Sequence, residues 1–275
     1  MFTDGTNFEI AYVTGGQGTT TLTLQRAAEL IGGTQTALSS VPSGTTFYAV
    51  ATAAGLQPAS YDTTVLTKLS LAPVAYWKLN DPVGSTTAAD SSGNGYTLSV
   101  NGTVTFGEPS VVPSDSETSA QGDGSTGYLE SSGVPSLIPT GAPMTIIACV
   151  AQGASAASGS IVGYGTSAML SLQTGQLQWN LTSPDYAKAT DAIASSPLLL
   201  VARMTALTAQ LNANGSPVTG IALAASAVGS GPAYIFSWGS GGQYGSQPVG
   251  RVAFFAGLLT PKDEALLMQA FTGVS

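Results

Sequence analysis

The chain has 275 residues, 43% of them apolar and only 8% charged; seven Lys and Arg against fifteen Asp and Glu give a net charge of −8, and histidine is absent. No basic cluster is available to displace counterions from a phosphate backbone or to grip an anionic membrane, so nucleic-acid and electrostatic membrane partners are set aside. Without histidine there is no Ser-His-acid triad and no imidazole metal site, and the single Cys149, in the apolar run Met144–Val150, excludes an internal disulfide and reads as a small buried residue.

Charge at this level is far below the roughly 25% of ordinary soluble domains. Solubility then has to come from hydroxyls, amides and backbone, or from burial in an assembly. Met1–Ile10 shows no basic region leading into an apolar core, and no stretch approaches the length of a membrane span, so neither a secretion signal nor membrane insertion is expected.

Residues 1–56 read as a small β module. Strands are expected at Phe8–Thr14, Thr20–Gln25 and Thr45–Thr52, separated by glycine-rich turns, with a brief helical turn at Ala27–Ile31 stopped by Gly32 and Gly33. The segments Phe8-Glu-Ile-Ala-Tyr-Val-Thr14, Thr21-Leu-Thr-Leu-Gln-Arg26 and Val41-Pro-Ser-Gly-Thr-Thr-Phe-Tyr-Ala-Val50 resemble the strands of small β modules in tailed-bacteriophage virion proteins. The stretch between Arg26 and Pro42 departs from that pattern. The resemblance implies a docking module for other virion proteins.

Residues 57–73, with Pro58 and Pro73, read as a linker, although Thr64–Leu71 also fits a strand. From Val74 the pattern sharpens. Ala75, Trp77 and Leu79 alternate with Tyr76, Lys78 and Asn80, a polar loop follows and closes with Asp90-Ser-Ser-Gly-Asn94-Gly, and a short strand comes at Thr97–Val100. Further strands are expected at Ser160–Tyr164, Met169–Leu172, Gln176–Leu181, Leu198–Met204, Tyr234–Trp238 and Val249–Phe255. Ala209–Val218 reads as a hairpin turning at Asn214-Gly215. A short C-terminal helix follows, with Thr260 as N-cap, Pro261 at the first helical position, Asp263 reaching back to the cap amide, and Leu267, Ala270 and Phe271 on one apolar face.

The Tyr76-Trp-Lys-Leu-Asn80 run with its Asp-Ser-Ser-Gly-Asn-Gly loop, together with the final strand and helix, resembles laminin-G-like (concanavalin-A-like) jelly-roll domains across residues 74–275. The expected fold class is therefore all-β: a small N-terminal module, then a two-sheet antiparallel sandwich ending in a short helix.

Three chemistries compete for the polar residues. A glycosidase needs two carboxylates about 5 to 10 Å apart across a cleft, whereas Glu108, Asp115, Glu117, Asp123, Asp185 and Asp191 are scattered and read as solvated loop acids, so no enzyme is expected. Calcium is no required cofactor, yet Asp81, Asp90 and Asn94 bracket a loop that could give a hard cation an oxygen shell, as related jelly rolls do; the competing reading is a pair of Asx turns. For sugar binding, Trp238 and Tyr244 flank a glycine-rich turn with Gln243 beside them, and Tyr186 is a second candidate; the competing reading packs Trp238 inward. Trp77 and Trp179 are expected in the core.

Taken together these features imply a non-enzymatic phage virion structural protein, a tail, fibre or head-decoration component, forming homo-oligomers and attaching to a host-surface glycan. The alternatives are a free bacterial carbohydrate-binding module and a glycoside hydrolase of the same fold.

Overall fold

The computed structural model describes residues 2–3, 8–9, 12–15 and 23–25, and then residues 66–113, 115–131, 138–151, 159–165, 168–173, 176–181, 186–188, 197–205, 208–218, 230–239 and 242–272. The chain divides into two units, Met1–Gln57 and Pro58–Ser275. In the first, β1 (Phe2–Thr3) pairs antiparallel with β2 (Phe8–Glu9), and β3 (Tyr12–Gly15) with β4 (Thr23–Gln25). The segment expected as one strand, Phe8–Thr14, is thus two short ones that pair with different partners. The expected strand Thr45–Thr52 and helical turn Ala27–Ile31 lie outside the described residues.

The second unit is a two-sheet antiparallel sandwich. Its strands are β5 (Ala75–Trp77), β6 (Thr87–Ala88), β7 (Leu98–Asn101), β8 (Val104–Glu108), β9 (Ser119–Gly122), β10 (Tyr128–Glu130), β11 (Met144–Val150), β12 (Gly159–Tyr164), β13 (Ala168–Gln173), β14 (Gln176–Leu181), β15 (Tyr186–Lys188), β16 (Leu198–Met204), β17 (Ala209–Ala213), β18 (Ser216–Pro217), β19 (Ala233–Ile235) and β20 (Pro248–Phe255), followed by helix α1 (Pro261–Thr272). The first sheet runs β15-β14-β13-β12-β19-β10-β7-β6. The second runs β18-β17-β16-β11-β20-β9-β8, with β5 also paired to β20. Neighbours in these lists are often distant in sequence, which is the mark of a jelly roll rather than a meander.

The main core lies between the sheets and includes Trp77, Leu98, Leu129, Ile146, Ile161, Leu170, Leu200 and Phe254. A second apolar layer lies on the far side of the second sheet, where Tyr76, Ile147, Cys149, Leu199, Val201 and Phe255 meet Leu267 and Phe271 of α1. This explains why β11 and β16 read as largely apolar runs. Their residues alternate between two layers that are both buried, and the polar exceptions, Thr145 and Arg203, are hydrogen-bonded to Gly257 and to Leu259 and Glu264 respectively. Burial of Cys149 follows from the same alternation.

Helix α1 starts as its sequence dictates. The Thr260 amide donates to Asp263 Oδ2 at 2.7 Å and the Asp263 amide donates to Thr260 Oγ1 at 3.2 Å, a reciprocal capping box. Residues 66–71, which also fitted a strand, form turns, and Leu66 is buried in the outer layer. Two strands end earlier than their apolar patterns suggest. Leu79 (φ 59) and Phe236 (φ 67), shortly past the last residues of β5 and β19, adopt left-handed backbone, a departure from extended strand geometry.

Candidate functional site

On the first sheet, period-two alternation sends Leu129, Ala233 and Ile235 into the core and Tyr128, Glu130 and Tyr234 to the opposite face. The register then sets them side by side. Glu130 of β10 pairs with Tyr234 of β19 on one side and with Ser99 of β7 on the other, while Tyr128 pairs with Asn101. The Tyr128 and Tyr234 rings lie 6.3 Å apart between centroids.

The loop after β19 folds back onto this sheet. The Trp238 amide donates to the Gly242 carbonyl at 3.1 Å, Gly245 to Phe236 at 2.8 Å, and the Ser160 amide to the Gln243 carbonyl at 2.8 Å. Glycines make the approach possible. A Cβ on Gly159 would sit 2.3 Å from the Tyr244 carbonyl oxygen, and one on Gly163, the partner of Tyr234, would sit 2.7 Å from the Ser237 oxygen and 3.5 Å from Trp238 Cα. The loop thereby brings Tyr244 to 6.1 Å from Tyr128, centroid to centroid.

The result is an aromatic surface with a carboxylate in it. Trp238 is 36% exposed rather than packed inward, Gln243 is exposed, and Tyr128, Tyr244 and Glu130 are half-buried. Burial first, and the Glu130 charge next, push the Tyr234 phenol up to about 12, and the phenol donates a hydrogen bond to Glu130. Tyr128 is raised by burial, Glu130 and Tyr244. Both phenols are therefore protonated donors at neutral pH. Rings that present π-faces next to donors and an acceptor suit a ligand with apolar C–H faces and hydroxyl rims.

Of the sequence candidates, the structure groups Trp238, Gln243 and Tyr244. Tyr186 stands apart on the edge strand β15, four strand spacings or about 19 Å from β19. Tyr128, Tyr234 and Glu130 were missed by sequence reasoning. The Tyr-x-Glu spacing of β10 was the available signal, but it gains meaning only through the pairing of β10 with β19, more than a hundred residues later. Trp77 and Trp179 are core residues, 0% and 2% exposed.

The Asp90 loop is tied up by its own backbone. Asp90 Oδ1 accepts from the amides of Tyr76 (3.1 Å) and Ser92 (2.9 Å), and Oδ2 from the Ser92 hydroxyl and the Tyr96 amide, both at 2.8 Å. Burial alone would raise this carboxyl, and those donors more than offset it, so its pKa is lowered. Asp81 accepts from the Ala89 amide at 3.0 Å, and Asn94 turns its amide nitrogen to the Val74 carbonyl at 2.8 Å. This donor set fits a stapled loop, with N–H and O–H groups where a cation would need to be. Among the described residues, no group of three or more Cys, Asp or Glu could hold a metal ion.

Asp115 and Glu117 are not solvated loop acids. Both meet the guanidinium of Arg251, which is 1% exposed and also donates to the Lys78 carbonyl at 3.0 Å; Glu117 Oε2 lies 2.9 Å from Nη2. Asp123 accepts from the amides of Ser125, Thr126 and Gly127 and closes its own loop. Asp185 and Asp191 lie outside the described residues.

No family model matches the sequence, and no curated protein sequence does. Solved structures share the fold at low identity. Domain 4 of AbnA, a GH43 extracellular arabinanase from Geobacillus stearothermophilus solved with arabinotriose, superposes with a TM-score of 0.52 at 14% identity, over 72% of this chain and 98% of that one. Trypanosoma rangeli sialidase in complex with sialic acid gives 0.54 at 12% identity over 78% of this chain, which spans only 38% of the sialidase. A botulinum neurotoxin type C structure, whose cell entry depends on two ganglioside molecules, gives 0.52 at 10% identity, over 76% of this chain and 52% of that one. These neighbours confirm the two-sheet sandwich. They also overturn the expectation that the chain is no enzyme: chains of an arabinanase and of a sialidase carry this fold, so the sandwich does not separate glycan binding from glycan hydrolysis.

Proposed function

We propose that the second unit is a glycan-recognition domain and that the chain is a component of a tailed-phage virion, anchored through its first unit and attaching to a host-surface glycan through the aromatic face of the first sheet. The observation that carries the glycan reading is the row of Tyr234, Tyr128 and Tyr244 rings beside Glu130, with partly exposed Trp238 on the loop that crosses the same sheet and protonated phenols as donors. Structures of similar fold solved with arabinotriose and sialic acid support it. The virion reading rests on the resemblance of residues 8–50 to phage β modules and on the low charge of the chain. Weak single-site binding would be multiplied by many copies in a homo-oligomer.

The test is a glycan array probed with the full chain, paired with antibody labelling of phage particles. The reading expects binding to at least one host-surface glycan, loss of more than tenfold in Trp238→Ala and Tyr244→Ala with unchanged circular dichroism, and label on particles. Reducing ends released from the bound glycan would assign hydrolysis to the same face. A chain that binds glycan but never labels particles is a free carbohydrate-binding module; one that binds no glycan refutes the recognition reading.

A further inference from the structure

The placement of the positive charges narrows the ligand class. The chain holds seven Lys and Arg, and none lies between Lys78 and Lys188 or between Arg203 and Arg251. Those two gaps contain β7, β10, β12, β19 and the loop 236–247, so every element that builds the aromatic face is without a cation.

Within the second unit the cations are carried by other elements. Arg203 is tied to Glu264 at 2.5 Å on the outer face of the second sheet. Arg251 and Lys78 face Glu117, and Arg251 also meets Asp115. Lys262 is on α1 and Lys68 lies in the turns that precede β5. The backbone of Lys188 is on β15, about 19 Å from β19 by strand spacing. Arg26 belongs to the first unit.

The charge on the face itself is negative. Glu130 sits between Ser99 and Tyr234, and its field is felt by both neighbouring phenols. A sugar carboxylate or sulfate brought here would meet this carboxylate with no guanidinium or ammonium from the elements that build the face to offset it, and removing an anion from water without a cationic partner is unfavourable. A neutral pyranose or furanose meets no such penalty. Its hydroxyls can donate to Glu130 while its C–H face lies on Trp238 or Tyr244.

We infer that the aromatic face selects uncharged glycans and discriminates against sialylated, uronate-bearing and sulfated ones, with Glu130 as the specificity-determining residue. The inference rests on the glycan-recognition reading of the same face and names its ligand class. It separates this chain from the similarly folded structures solved with sialic acid.

The experiment compares matched pairs of oligosaccharides, each neutral glycan beside its sialylated or uronate-containing counterpart, titrated into the full chain at low and at high salt. Affinity for the neutral member should exceed that for the anionic one by at least tenfold at low salt, and the gap should narrow at high salt as the carboxylate field is screened. Glu130→Gln keeps the shape and an acceptor oxygen, so it should narrow the gap at low salt while circular dichroism and Tm stay near those of the parent. Equal or tighter binding of the anionic members overturns the inference and leaves the recognition reading standing. A gap that Glu130→Gln does not change also overturns it. Absence of binding to either class overturns both.

Discussion

Ser70 and Asp263, 193 residues apart, are joined by two hydrogen bonds: the Ser70 amide donates to Asp263 Oδ1 at 2.8 Å and its hydroxyl to Oδ2 at 2.6 Å. The carboxylate that caps α1 therefore also fastens the turn before β5 to the helix. Asp263 is 3% exposed, and hydrogen bonds to a charged group are worth about 1.5–3 kcal/mol. Asp263→Asn should lower unfolding free energy by about 2 kcal/mol, with Ser70→Ala costing less, as measured by urea denaturation.

The same group fixes an acid dependence. Burial would raise the Asp263 pKa, but the donors from Ser70 and Thr260 hold it at about 2, below its ordinary 3.8. A depressed carboxylate contributes stability that is fully present above the ordinary value and is lost as pH falls through it toward 2. The stability difference between the parent and Asp263→Asn should shrink across that window and be level at neutral pH. A difference that grows on acidification would contradict the assignment.

Arg203, Asn212 and Glu264 form a buried polar cluster under α1. Arg203 Nη2 meets Glu264 Oε2 at 2.5 Å, and Asn212 Nδ2 reaches both Glu264 oxygens at 2.7 and 2.8 Å. Removing one partner strands a buried charge, at a cost of about 3–5 kcal/mol. Glu264→Ala should destabilise by that order, and Arg203→Met with Glu264→Leu together by less than the sum of the two single changes. Additive losses in a double-mutant cycle would show that the pair is uncoupled.

Much of this architecture was legible because local signals agreed with the fold. Gln176–Leu181 alternates without a fault and is β14. Asn214 (φ 48) and Gly215 (φ 75) supply the left-handed turn that the hairpin requires, and Thr260 with Asp263 caps α1 as its spacing dictates. The candidate site was half legible. Trp238, Gln243 and Tyr244 share one loop, so proximity in sequence grouped them. Tyr128 and Glu130 reach that loop only through the pairing of β10 with β19, and the pairing of strands distant in sequence is not written in either strand alone. At Asp90 the composition of the loop left two readings open, and the long-range amide donor Tyr76 beside Ser92 and Tyr96, which fills the carboxylate's oxygens, is not written in the loop itself.

Gly159 lets the Tyr244 segment cross β12. Gly159→Ala would place a methyl 2.3 Å from the Tyr244 carbonyl oxygen, against backbone that has no side-chain rotation to give. Tyr244 should then be displaced and glycan affinity should fall by tenfold or more, with α1 and the second sheet unchanged. Amide exchange checks this: protection should drop at Ser160 and Gly245 and hold at Ile147.

The three tryptophans supply the most direct test of the central claim, that the aromatic face of the first sheet is where glycan binds. The full chain, labelled with 15N, is titrated with a neutral oligosaccharide selected on the array, and the indole N–H resonances are followed. The Trp238 resonance should move and saturate, while those of Trp77 and Trp179, which are 0% and 2% exposed, stay in place. Saturable binding that leaves Trp238, Tyr128 and Tyr244 unmoved would place the ligand elsewhere and contradict the account.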